Sequence, residues 1–109
     1  MQVPLRISFH GVDASEAVEA RIGKLVDNLE LSYDRITSCH VAVEAPHKHK
    51  TKGRIYNVRI HLVLPNHDLM VGREPGRRQA HEDVYVAISD SFRTARRRLR
   101  DYARRQRRE

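Results

Sequence analysis

Residues 3–9, VPLRISF, alternate strictly: Val3, Leu5, Ile7 and Phe9 on one side, Pro4, Arg6 and Ser8 on the other. A period of two predicts a half-buried strand. The period then lengthens. Val18, Ile22, Leu25, Val26 and Leu29 fall on one helical stripe and predict a helix over about 15–31. Asp13 and Ser15 are candidate N-caps, and Glu16 and Glu19 suit the first-turn dipole. Alternation returns in 36–45, where Cys39, Val41 and Val43 face in and Ser38, His40 and Ala42 face out. It returns more strongly in 54–64, with Tyr56, Val58, Ile60, Leu62 and Leu64 inward and Asn57, Arg59 and His61 outward. A turn at PNHD and a shorter strand over 69–74 complete the sheet-forming part. The loops PHKHKTKG and PGRRQAHE separate these elements.

The last element, predicted over 83–105 with Glu82 or Asp83 as cap, is helical by its spacing. At about 100° per residue from Ile88, the inward set is Val84, Ile88, Ser91, Phe92, Ala95, Leu99, Tyr102, Ala103 and Gln106. That stripe runs straight through the arginine-rich segment. A tail with no core to meet has no reason to keep Leu99, Tyr102 and Ala103 in register. The expected fold is α+β, in the order β-α-β-β-β-α: a four-stranded sheet with two helices on one face. A single domain over 1–109 is expected, fraying at about 106–109.

Charge changes the picture. Residues 93–109 carry nine arginines against Asp101 and Glu109, a balance of +7, while the other 92 residues balance at zero. Placing the whole excess in one helix points to an anionic partner. On the helical wheel Arg93, Arg97, Arg100, Arg104 and Arg108 form one solvent-facing ridge about 22 Å long. Arg96 and Arg107 widen one flank, and Arg98 and Arg105 the other. Arginine's planar fork suits phosphate oxygens and stacks on bases. A membrane-surface helix would expose bulky apolar residues, whereas here the apolar face is needed for a core, so no membrane partner is expected.

Other chemistry finds little support. There is no glycine-rich phosphate loop, nucleophile elbow or evident acid/base pair, so an enzyme and a small-molecule substrate are not expected. Seven histidines are present, including His47 and His49 in the first loop and His40 and His61 on the polar sheet face. One inward-facing cysteine and no paired cysteine spacing argue against a zinc site, and no metal or other cofactor is expected. The single Cys39 also fits a reducing compartment, so the cytoplasm is the expected location. A general structured- or duplex-RNA-binding module remains an alternative at this point.

The segments ARIGKL (20–25), YDRI (33–36) and HEDVYVAISD (81–90) resemble the bacterial ribosome hibernation-promoting factor and ribosome-associated translation inhibitor family, the sigma-54 modulation proteins, over essentially all of 3–105. The resemblance implies a fold akin to a double-stranded-RNA-binding domain. It also implies a stress-related function: occupying the mRNA and tRNA channel of the small ribosomal subunit and silencing idle ribosomes. The implied partner is the small subunit and its rRNA, and a monomer is expected off the ribosome. Lys24 and Arg97 stand where the family places rRNA-gripping residues; Asp27 and Thr94 replace lysines common in relatives, and arginines 93, 96, 98 and 100 are placed to offset them. Charge and resemblance together nominate as RNA contacts Arg21, Lys24, Arg93, Arg96, Arg97, Arg100, Arg104 and Arg108 on the helices. Arg77 and Arg78 in one loop, and Lys48, Lys50 and Lys52 in the other, join them. The chain resembles a short family form, without the dimerising domain of the long ones. Its ending RRQRRE lacks a C-cap, which leaves room for a continuation.

Overall fold

A computed structural model of the chain describes residues 3–45, 48–49, 53–72 and 83–108, with only the backbone described at 48, 49, 53, 54 and 108. Its elements are β1 (Leu5–His10), α1 (Glu16–Ser32), β2 (Ser38–Glu44), β3 (Lys48–His49), β4 (Gly53–Arg54), β5 (Asn57–Leu64), β6 (His67–Val71) and α2 (Val84–Arg108). The main sheet has the order β1-β2-β5-β6. β1 runs parallel to β2, and the remaining pairs are antiparallel. A parallel pair needs a long crossover, and α1 supplies it. The expected β-α-β-β-β-α fold is therefore present, with one addition. The first loop joins a two-stranded ribbon, Lys48 opposite Arg54 and His49 opposite Gly53, so the strand predicted over 54–64 is divided, with Arg54 in the ribbon and β5 starting at Asn57.

Local chemistry sets the boundaries. Ser15, not Asp13, caps α1: its hydroxyl accepts the Val18 N–H at 3.2 Å. Asp83 caps α2 by accepting the Tyr85 N–H at 2.8 Å. β6 begins at His67, two residues earlier than predicted, because Pro65 and Asn66 alone make the hairpin turn, with Leu64 opposite His67. Proline fixes the first turn position and Asn66 takes the positive φ of 64° at the second. Gly72 ends β6 at φ +87°, where a Cβ would lie 2.5 Å from the Val58 carbonyl oxygen. Only glycine fits there.

One face of the sheet is apolar, as the alternation requires. Cys39, Val41, Val43, Val58, Ile60, Leu62, Leu64 and Val71 are buried against both helices. From α1 come Val18, Ile22, Val26 and Leu29, and from α2 Ala87, Ile88, Phe92, Ala95, Leu99 and Tyr102. Two expected positions differ. Ala87, outside the predicted inward set, is fully buried, because α2 is flanked by α1 as well as underlain by the sheet and so buries a wider arc. Gln106, inside that set, is exposed. Helicity nonetheless continues to Arg108. On the outward sheet face Ala42 is also buried, its small side chain lying between Ser8 and Arg59 in the register.

Polar and aromatic contacts of Ser91 and Tyr102 help to hold α2 down. The Ser91 hydroxyl, wholly buried, donates to the Val58 carbonyl at 2.9 Å, which satisfies a polar group that would otherwise be costly. Tyr102 stacks on His67 with centroids 4.9 Å apart and meets Tyr33 edge-on at 5.8 Å. It thereby ties the arginine-rich half of α2 to the end of α1 and to the β5–β6 turn. Burial, with Tyr102 next in effect, raises the Tyr33 hydroxyl above its ordinary range.

Two outcomes follow from this packing. Leu99→Ala removes a fully buried side chain from under the arginines and should cost about 2–5 kcal/mol in urea unfolding, whereas Arg100→Ala beside it should change stability by under about 0.5 kcal/mol. Burial pushes the Cys39 thiol up to about 12. Ellman's reagent at pH 8 should therefore label the urea-unfolded chain promptly and leave the native chain almost unlabelled.

Candidate nucleic-acid interface

The pairing of side chains shows how the helices lie. Arg21 of α1 sits over the Tyr85 ring of α2 at 5.5 Å, Leu25 and Leu29 share a groove with Ser89 and Phe92, and Tyr33 meets Tyr102. Numbers rise together on both helices, so α1 and α2 run side by side in the same direction. Their outer surfaces form one continuous two-helix face opposite the sheet.

On α2 the predicted ridge is realised. Arg93, Arg97, Arg100 and Arg104 are exposed along the crest. Arg108 continues the helix, though its side chain lies outside the described residues. The two flanks differ in kind. Arg96 and Arg107 border grooves shared with α1. Arg98, by contrast, turns to the edge of the sheet and donates from Nη1 to the Met70 carbonyl oxygen at 2.6 Å. It satisfies an acceptor on edge strand β6 and holds the helix across it. Fixing the fold occupies this arginine, and sequence alone gave no sign of it, because the partner is a backbone atom 28 residues away.

The ridge is also less purely cationic than its sequence suggests. Asp90, just before the segment, pairs with Arg93 at 2.8 Å, and Asp101 pairs with Arg104 at 3.2 Å. Exposed i,i+3 pairs of this kind hold by about 1 kcal/mol or less, so both arginines can exchange the carboxylate for a stronger anion. Arg97 and Arg100, between them, make no ion pair among the described residues.

On α1, Arg21 and Lys24 are exposed one helical turn apart, with Arg21 over the Tyr85 ring. Asp27, Glu30 and Asp34 line a separate groove with Val3 and Leu31 on the far side of α1. The two-helix face is thus cationic over α2 and the start of α1, and acidic beyond.

On the opposite sheet face Arg6 is exposed, and three other side chains are held by neighbours. Arg59 is held by Glu44 at 2.6 Å, His61 by Asp68 at 2.9 Å, and His40 by the Ser8 hydroxyl at 2.6 Å. Burial, and then Arg6, keep His40 below the ordinary histidine range and so neutral at pH 7. Of the other predicted contacts, Arg77, Arg78, Lys50 and Lys52 lie outside the described residues, as does the side chain of Lys48. No cluster of three or more metal-ligating side chains occurs among the described residues. Among the described residues no helix is long and apolar enough to cross a membrane.

A mixed four-stranded sheet under two parallel helices defines an α+β class with solved members. The N-terminal domain of Protein Y from Thermus thermophilus superposes with a TM-score of 0.71 at 15% identity, covering 94% of this chain and 99% of that one. A ribosomal subunit interface protein from Coxiella burnetii gives a TM-score of 0.72 at 19% identity, covering 93% of this chain and 98% of that one. A search of curated proteins gives no match. The family model described as Sigma 54 modulation protein / S30EA ribosomal protein matches residues 5–107, and the chain belongs to that family.

The division of labour among the arginines is measurable. Arg98→Ala should lower stability by about 1–2 kcal/mol, through the lost charged hydrogen bond and packing over β6. Arg97→Ala should leave the urea midpoint within experimental scatter.

Proposed function

We propose that this protein is a non-enzymatic ribosome-associated factor of the cytoplasm that binds the small subunit through its rRNA. It occupies the mRNA and tRNA channel there and silences idle ribosomes under stress. The observation that carries the reading is the arginine crest of α2, exposed in order on a helix whose other face is buried in the core. Membership of the Sigma 54 modulation protein / S30EA ribosomal protein family supports the partner. So do the subunit interface protein and Protein Y among solved structures of the same fold.

The physical argument is one of geometry matched to polyanion. A crest of guanidinium groups on a rigid helix meets a phosphate backbone without first paying the ordering entropy of a flexible tail. Arg21 and Lys24 extend the cationic surface across to α1, so a strand of rRNA lying over both helices meets cations from each. Arg77, Arg78, Lys48, Lys50 and Lys52 belong to the same proposed contact set through their two loops.

Replacing Arg93, Arg97, Arg100 and Arg104 together by glutamate should abolish co-sedimentation with purified small subunits while the far-ultraviolet circular dichroism stays native. For the unaltered chain, log K should fall with log salt at a slope near −3.5 to −4.5, the value for about five neutralised phosphates. A flat salt response, or a charge-reversed variant that still co-sediments, would refute phosphate gripping by the crest. Equal affinity for free duplex RNA and for ribosomes would instead mark a general RNA-binding module.

A further inference from the structure

Between the two helices, on the border of the arginine crest, lies an open groove of about 260 Å³. Leu25 supplies the accessible apolar wall over a floor of buried Leu29 and Phe92, Asn28 and Ser89 stand on opposite sides, and Arg93 and Arg96 form the rim over α2. The carboxamide of Asn28 and the hydroxyl of Ser89 make no side-chain hydrogen bond among the described residues. Asp27, Glu30 and Asp34 line a different groove, and among the described residues no acid lines this one.

We propose that this groove seats one unpaired nucleobase of the bound RNA, with the phosphates on either side of it held by Arg93 and Arg96. The inference rests on the rRNA-binding reading and deepens it from charge to shape. Apolar walls with a few polar groups are what a splayed-out base requires: surface to stack on and a group that reads its edge. The Asn28 carboxamide offers both a donor and an acceptor, matching the mixed edges that all four bases present. The volume falls just below the roughly 300–1,000 Å³ of ordinary small-molecule sites, which suits one base and not a whole dinucleotide. The flanking guanidinium groups supply what a peptide side chain would not need, charge complementary to phosphate on the rim itself. Arg93 yields its exposed Asp90 pair to do so, since its side chain is 72% exposed and weakly held.

The test uses purified small ribosomal subunits, the full chain and three variants. Ser89→Leu fills the groove from α2, and Asn28→Ala strips the edge-reading group at an exposed position where alanine favours the helix. Arg96→Gln removes one rim charge. Each is checked for an unchanged urea midpoint, then titrated against subunits at several salt concentrations. Seating of a base predicts that Ser89→Leu and Asn28→Ala each weaken binding about tenfold with the salt slope unchanged, the scale of one lost base contact. Arg96→Gln should instead make the slope shallower by about 0.7. Wild-type affinity in both groove variants would overturn the base seat while leaving the rRNA reading standing. A weakened affinity in them accompanied by a shallower slope would overturn it too, because the loss would then be of phosphate contact. Failure of the unaltered chain to bind subunits would overturn both.

Discussion

The structure depends on a single seam. Ala95, Leu99, Tyr102 and Ala103 pack downward from the same helical turns that carry six exposed arginines outward, from Arg93 to Arg105, with Arg98 turned to the sheet edge. Without the seam the segment would be a polycation with no preferred shape, since adjacent like charges oppose helix formation. With it, each inward residue fixes the direction of the arginines beside it. Small and large residues share this role. Ala87 and Ala95 allow α2 to lie close against its neighbours, and the bulk of Phe92 and Leu99 fills the space between. Tyr102 then extends the grip to two other elements at once, through Tyr33 and His67.

The topology turns that seam into a surface with two distinct sides. Because β1 and β2 are parallel, α1 must cross over the sheet, and it lies beside α2 on the one apolar face. The helices run in the same direction, and their mutual boundary opens into grooves near Phe92 and again near Ala103. Charge is divided along the same boundary. The α2 crest is cationic, whereas Asp27 and Glu30 lie on the far side of α1 and Asp34 borders both that groove and the one it shares with Arg107. A polyanion approaching the two-helix face is therefore directed to one half of it. On the reverse face of the sheet Arg59 and His61 are matched by Glu44 and Asp68 and His40 is held by Ser8, while Arg6 stays exposed.

Much of this was legible in the sequence, and the parts that were not share a cause. The strands and both helices were readable because a half-buried element writes its period into the chain. The buried set of α2 was readable down to Leu99 and Tyr102, for the same reason. What escaped depends on contacts between segments far apart in sequence. Arg98 looked like any other flank arginine until β6 proved to end beneath it. Ala87 looked too far round the helix until α1 lay beside it. The pairing of Asp90 with Arg93 was local and could have been found by extending the window one turn upstream. The β3–β4 ribbon gave no periodic signal, being two residues per strand.

Folding this many arginines onto a helix has a physical cost that bears on function. Like charges one turn apart repel, and only Asp90 and Asp101 relieve that within α2 among the described residues. The core beneath must absorb the difference, which is why the seam is continuous and why Arg98 is tied to a carbonyl rather than added to the crest. A bound phosphate chain would reverse the sign of the effect, converting repulsion into attraction on a face already in position. Stability and binding are thereby linked: any anion that binds the folded crest in preference to the unfolded chain stabilises the fold. Arginines on a disordered tail would bind the same anion without that linkage, and without orienting the groove beside them.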